Sequence, residues 1–128
     1  MAEKTIAWVL RAGNGKVVAG ELEKAEVTLP ELGEEDCLVE PLYGCWEGNM
    51  AHAIDRKPVD VCKQRGEDHV VLGNAGVVRV LACGDRVTTV SKGNVALLFC
   101  AGSLDKWGYP KTIFGYDAKG TIGLLAKR

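Results

Sequence analysis

VVLGNAGVVRVLACGDRV, residues 70–87, decides how the rest of the chain is read. An apolar run meets Gly73-Asn74-Ala75-Gly76, a second, largely apolar run follows, and Gly84-Asp85-Arg86-Val87 turns the chain. β-branched residues bounded by glycine predict strands with a tight break between them. The polar Asn74 inside that break has two readings. A glycine-flanked asparagine suits left-handed backbone and turn hydrogen bonds. It is equally read as what remains of an active site.

Working outward, TIAWVLRAG (5–13) predicts a strand ending at Gly13-Asn14-Gly15. KVVAGELEKAEVTL (16–29) predicts its hairpin partner, although the Glu and Lys at 21–26 also allow helix. LPELGEEDCLVEPLYGCW (29–46) predicts a proline–glycine bend and then a strand from about Asp36. Beyond it the pattern changes. Met50, Ala53 and Ile54 have helical spacing with Asn49 as a candidate N-cap, and Pro58 ends that helix. Val59, Val61 and Cys62 predict a second short helix or an ordered loop. Strands are expected over 69–81, 86–91 and 95–100, a long glycine-, proline- and aromatic-rich loop over 100–120, and a last strand over 121–128. Many short strands, glycine turns and little helix predict a mainly β barrel or sandwich.

The 128 residues are expected to form one domain, 1–128, with a sizeable core. A net charge of −1 gives no overall attraction to nucleic acid or acidic membranes, and the late lysines are spaced singly without interleaved aromatics. No run of apolar residues reaches the roughly 20 needed to span a bilayer. The five cysteines (Cys37, Cys45, Cys62, Cys83, Cys100) are odd in number and scattered, with no C-x-x-C and no secretory leader. A cytoplasmic protein with its cysteines as thiols is expected.

In order and spacing, LPELGEEDCLVEPLYGC (29–45), VVLGNAGVV (70–78), GDRV (84–87) and FGYDAKGTIGLLAKR (114–128) resemble the N-terminal GroES-like domain of the medium-chain dehydrogenase/reductase family, the zinc alcohol dehydrogenases and quinone reductases. The resemblance implies a GroES-like, partly open β-barrel with one or two short helices. It places Cys45 at the position of a zinc-ligating cysteine, Asn74 at that of a histidine and Ala75 at that of a glutamate. An amide is a poor zinc ligand beside imidazole or thiolate, and alanine is none. By resemblance the zinc site is dismantled, and no metal is expected. No G-x-G-x-x-G follows a strand, so no cofactor is expected either.

Cys45, Glu47 and His52 are the candidate catalytic residues, with Cys45 as nucleophile and His52 or Glu47 as general acid or base. The alternative is a buried thiol and a surface histidine. Trp46, Asn49, Asn74, Trp107 and Tyr109 are the candidate substrate-binding residues. Trp107, Tyr109, Phe114 and Tyr116 either line an apolar pocket or form the surface against which the family's cofactor domain docks. Arg56, Lys57, Lys63 and Arg65 either hold an anionic ligand or form a solvated face.

Three functions are compatible with these residues. The first is a zinc-free barrel acting on or binding a small acyl or polyketide-like metabolite without hydride transfer. The second is a non-catalytic ligand- or protein-binding module. The third is the substrate half of a split NADPH-dependent reductase. The expected partners are a small-molecule ligand and either further copies of the chain or a protein covering the former cofactor-domain interface. Nucleic acid and membrane are not among them.

Overall fold

The computed structural model describes residues 3–11, 22–46, 48–113 and 115–116. Thr5, Ala7 and Val9 point inward while Lys4, Ile6 and Trp8 point out, the period of two that makes β1 (Lys4–Arg11) a strand with one buried face. β2 (Leu22–Thr28) runs antiparallel to it, and Trp8 pairs with Lys24, whose ammonium lies 5.1 Å from the indole centroid. The next elements are β3 (Cys37–Gly44), α1 (Gly48–Asp55), α2 (Val61–Arg65), β4 (His69–Val71) and β5 (Gly76–Cys83). They are followed by β6 (Val95–Leu98), β7 (Ala101–Leu104) and β8 (Pro110–Ile113). Among the described residues three sheets result, in the orders β2-β1-β4, β3-β5-β6 and β7-β8. The architecture is mainly β, a partly open barrel with two short helices. No helix among the described residues is long and apolar enough to cross a membrane.

The expected strand over 69–81 is two strands in two sheets. Residues 72–75 carry the chain from β4, paired with β1, to β5, paired with β3 and β6. Leu10, Met50, Ala53, Val61, Cys62, Val70 and Leu72 form the core cluster that fixes both helices against the first sheet. The helical spacing of Met50, Ala53 and Ile54 is realised in α1, which starts at Gly48. α2 is capped by Asp60, whose carboxylate accepts the Lys63 N–H at 3.1 Å, and it ends at Gly66 with φ +63°.

Two expectations are corrected. Residues 86–91 form no strand, because the backbone groups at Arg86 and on either side of the segment are engaged elsewhere. The Gly84 N–H donates to Asp36 O and the Arg86 N–H to Glu34 O, both at 2.9 Å, while Val80 exchanges hydrogen bonds with Gly93 and Asn94. The loop over 100–120 contains the β7–β8 hairpin. Asp105 closes its turn by accepting the Trp107 and Tyr109 N–H groups, each at 2.9 Å. The Gly13–Gly15 turn, the start of the expected second strand and the expected strand over 121–128 lie outside the described residues.

Candidate functional site

The site is built where β3 ends and the 72–75 segment turns. Gly44 pairs with Gly76, and one step further the Cys45 N–H donates to Ala75 O at 3.2 Å. The backbone of Cys45 therefore stands beside the Asn74-Ala75 turn, and its thiol is exposed there at the strand end. Gly73 makes the turn with φ +104°, a conformation glycine adopts without Cβ strain. Gly115 crosses directly over it: a Cβ there would meet Gly73 O at 3.2 Å. Tyr116 follows, packs on the core cluster and donates its hydroxyl to Asn49 O at 2.6 Å. One neighbourhood thus gathers Cys45, Asn74, Ala75 and the Gly115–Tyr116 segment, which ties in Asn49 at the start of α1.

Asn74 is 6% exposed, no hydrogen bond to its side-chain amide occurs among the described residues, and its amide atoms are not among the fully buried ones left without a partner. Such a group is poised to donate to a carbonyl oxygen entering the turn.

The other candidate residues are placed as follows. Cys45 and Trp46 are exposed at the end of β3. His52 is exposed on α1, its backbone carbonyl accepting the Lys57 N–H, and no hydrogen bond joins it to Cys45 among the described residues. Glu47 lies outside the described residues. Trp107 and Tyr109 stand exposed at the tip of the β7–β8 hairpin, with the Lys106 ammonium 4.1 Å from the Trp107 ring centroid. The hairpin holds them by the Asp105 carboxylate, and no hydrogen bond links them to the Asn74 turn among the described residues.

Arg56 and Arg65 form neither a solvated face nor the open edge of a cleft. Their side chains are 3% and 2% exposed. Arg65 meets Glu67 at 2.6 Å, and Arg56 lies 3.9 Å from Asp60. Between them Cys62 donates its thiol to Leu10 O at 3.7 Å, and burial pushes that thiol above its ordinary value. Sequence reasoning missed Gly115 as a site-forming residue. The only signal was a glycine beside an aromatic in a segment read as loop.

The donors present do not fit the zinc of the resembling dehydrogenases. The three corresponding positions supply one exposed thiol, one amide and one methyl group. No three His, Cys, Asp or Glu side chains come together as a metal-binding group among the described residues.

Neither a family model nor a curated protein sequence matches this chain. Solved structures do match its fold. One is a crotonyl-CoA carboxylase/reductase, with TM-score 0.77 and 18% identity over 96% of this chain and 31% of that one. A second is the crotonyl-CoA carboxylase/reductase AntE in complex with NADP, with TM-score 0.78 and 19% identity over 96% of this chain and 34% of that one. A third is the apo 2-octenoyl-CoA carboxylase reductase CinF from Streptomyces sp., with TM-score 0.74 and 18% identity over 100% of this chain and 37% of that one. The chain has the GroES-like fold of these larger proteins and spans about a third of their length.

Proposed function

We propose that this domain binds an acyl thioester at the turn between β4 and β5, without zinc and without hydride transfer of its own. The observation that carries the reading is Asn74, a largely buried residue whose side-chain amide makes no hydrogen bond among the described residues and is left open to an incoming group. A thioester carbonyl supplies an acceptor for it. Donation from the amide draws electron density toward the carbonyl oxygen and makes the acyl group more electrophilic. The Cys45 thiol and the indole of Trp46 lie at the same strand end, and Asn49 is tied in through Tyr116. Cys45, Glu47 and His52 are the groups proposed for acid/base or covalent chemistry, and Trp46, Asn49, Trp107 and Tyr109 for contact with the acyl or carrier portion. The likeness to proteins named for crotonyl-CoA and 2-octenoyl-CoA supports the choice of an acyl thioester over other carbonyl compounds. A cytoplasmic setting and association through an exposed apolar surface belong to the same reading.

Titration calorimetry with crotonyl-CoA tests it, with free coenzyme A as control. Saturable binding is expected, and Asn74→Ala is expected to weaken it about tenfold, the worth of one hydrogen bond to a buried group. Equal affinity of the wild type and a folded Asn74→Ala variant contradicts the proposal.

A second reading, the substrate half of a split reductase, is favoured by a different observation. AntE was solved with NADP, and this chain spans about a third of that protein. On that reading the chain alone retains no NADPH in native mass spectrometry and gains reductase activity when a dinucleotide-binding partner is added. Cys45→Ala and His52→Ala separate catalysis from binding, since affinity survives both if neither side chain does chemistry.

A further inference from the structure

At the end of the β3–β5 ladder remote from Cys45, two cysteines face each other. Cys37 and Cys83 are direct cross-strand partners, and their sulfur atoms are 3.8 Å apart, with Cys37 donating. The type of pair follows from the backbone. The Gly84 N–H donates to Asp36 O and the Arg86 N–H to Glu34 O, so the pairs 36/84 and 34/86 are hydrogen-bonded. Such pairs alternate with non-hydrogen-bonded ones along an antiparallel ladder, which makes 37/83 a non-hydrogen-bonded pair. Pairs of that type hold their Cα atoms about 4.5 Å apart, inside the roughly 4.4–6.8 Å that a disulfide spans but at its short end. Both thiols are half-buried, within reach of a small oxidant yet out of the open surface.

We propose that Cys37 and Cys83 form a reversible cross-strand disulfide, with a low-molecular-weight disulfide of the glutathione type as oxidant. The Cys37 thiolate attacks one sulfur of the oxidant, and a glutathione thiolate leaves. The Cys83 thiolate then attacks the Cys37 sulfur of the mixed disulfide and expels the second glutathione. The two protein thiols are oxidised, the oxidant's disulfide is reduced to two thiols, and the two cysteine protons pass to the leaving thiolates. Side-chain rotation closes the sulfur gap, since the strands already hold the register.

The position of the bond gives it two properties. A bridge between two half-buried sulfurs stays within reach of small thiols and can be reduced again, the behaviour of a regulatory rather than a structural bridge. It also staples the two strands whose other end carries Cys45 and the Asn74 turn. Burial, the neighbouring Cys83 and Asp36 together push the Cys37 thiol up, so a smaller share of it is thiolate at neutral pH and exchange is slowed.

The test incubates the purified chain with glutathione disulfide, counts free thiols and maps tryptic peptides. Loss of two of the five thiols is expected, with 80–86 joined to 25–56, and dithiothreitol restores both. The larger peptide also holds Cys45, so fragmentation and a Cys45→Ser variant assign the bond. The link persists in Cys45→Ser and disappears in Cys37→Ser and in Cys83→Ser. Stable glutathione adducts without a Cys37–Cys83 link, or a link to Cys45, overturn the proposal. The wild-type map decides even where a serine variant fails to fold.

Discussion

Asn74 and Cys62 are both buried, and their environments set them to opposite uses. Asn74 keeps a side-chain amide that makes no hydrogen bond among the described residues and stays open to an incoming group, in a turn made by Gly73 and crossed by Gly115. Cys62 sits in the core with its thiol on Leu10 O and is held neutral by burial. The sign of its effect on stability follows. Below the ordinary thiol value of 9.0 the folded and unfolded chains are equally protonated and the stability is full. Above it the unfolded thiol ionises first, so stability falls as the pH rises through the raised folded value. Urea unfolding between pH 8 and pH 10 is expected to show that loss, roughly within this window. Cys62→Ala is expected to reduce the slope without abolishing it, because Cys37 is raised in the same sense. An unchanged slope in a folded Cys62→Ala chain contradicts the assignment. At this scale the sequence made Asn74 conspicuous, a polar residue between glycines in an apolar run. It did not make its burial legible, because the turn around it is met by Cys45 and Gly115, distant in the chain.

Among the elements, the short connection from β5 back to the 33–36 lead-in is held by close backbone approach. A Cβ at Gly84 would overlap the carbonyl oxygens of Gly33 and Glu34, which cannot move aside as a side-chain tip can. Gly84→Ala is therefore expected to destabilise the fold by about 1–3 kcal/mol, the usual cost of overpacking. Chemical denaturation checks this, and a change within experimental error contradicts it. The same connection explains why residues 86–91 read as a strand and are not one. Val87, Thr88, Thr89 and Val90 have strand-forming side chains, but the ladder bonds beside them are taken by Glu34, Asp36 and Asn94. The β7–β8 hairpin erred the other way. Glycine, proline and aromatic residues suggested loop, whereas Pro110 begins an edge strand and Ser103 and Thr112 hydrogen-bond across the pair at 2.9 Å. The strands β1 and β3 were legible because their patterns are local. The division of 69–81 between two sheets was not, since that depends on which neighbours each half finds.

Across the whole molecule, the fold brings the Cys45 strand end and the Asn74 turn together and leaves a separate apolar surface open. Tyr43, Val77 and Leu97 lie in one row across β3, β5 and β6, and Tyr43 and Leu97 are strongly exposed. Phe99, Trp107 and Tyr109 are exposed as well. Exposed apolar residues on this scale mark surfaces that other molecules cover. They support the reading in which a second protein or domain completes the chemistry, and they compete with the Asn74 turn as the place where an acyl chain settles. The central claim is that the acyl thioester is held at Asn74. Nitrogen-15 NMR of the labelled chain during titration with crotonyl-CoA tests this most directly. The side-chain amide of Asn74 and the backbone amides of Cys45 and Ala75 are expected to shift with a common saturation curve. Shifts confined to Trp107, Tyr109 and the β6 strand, with the Asn74 amide unmoved, would contradict it.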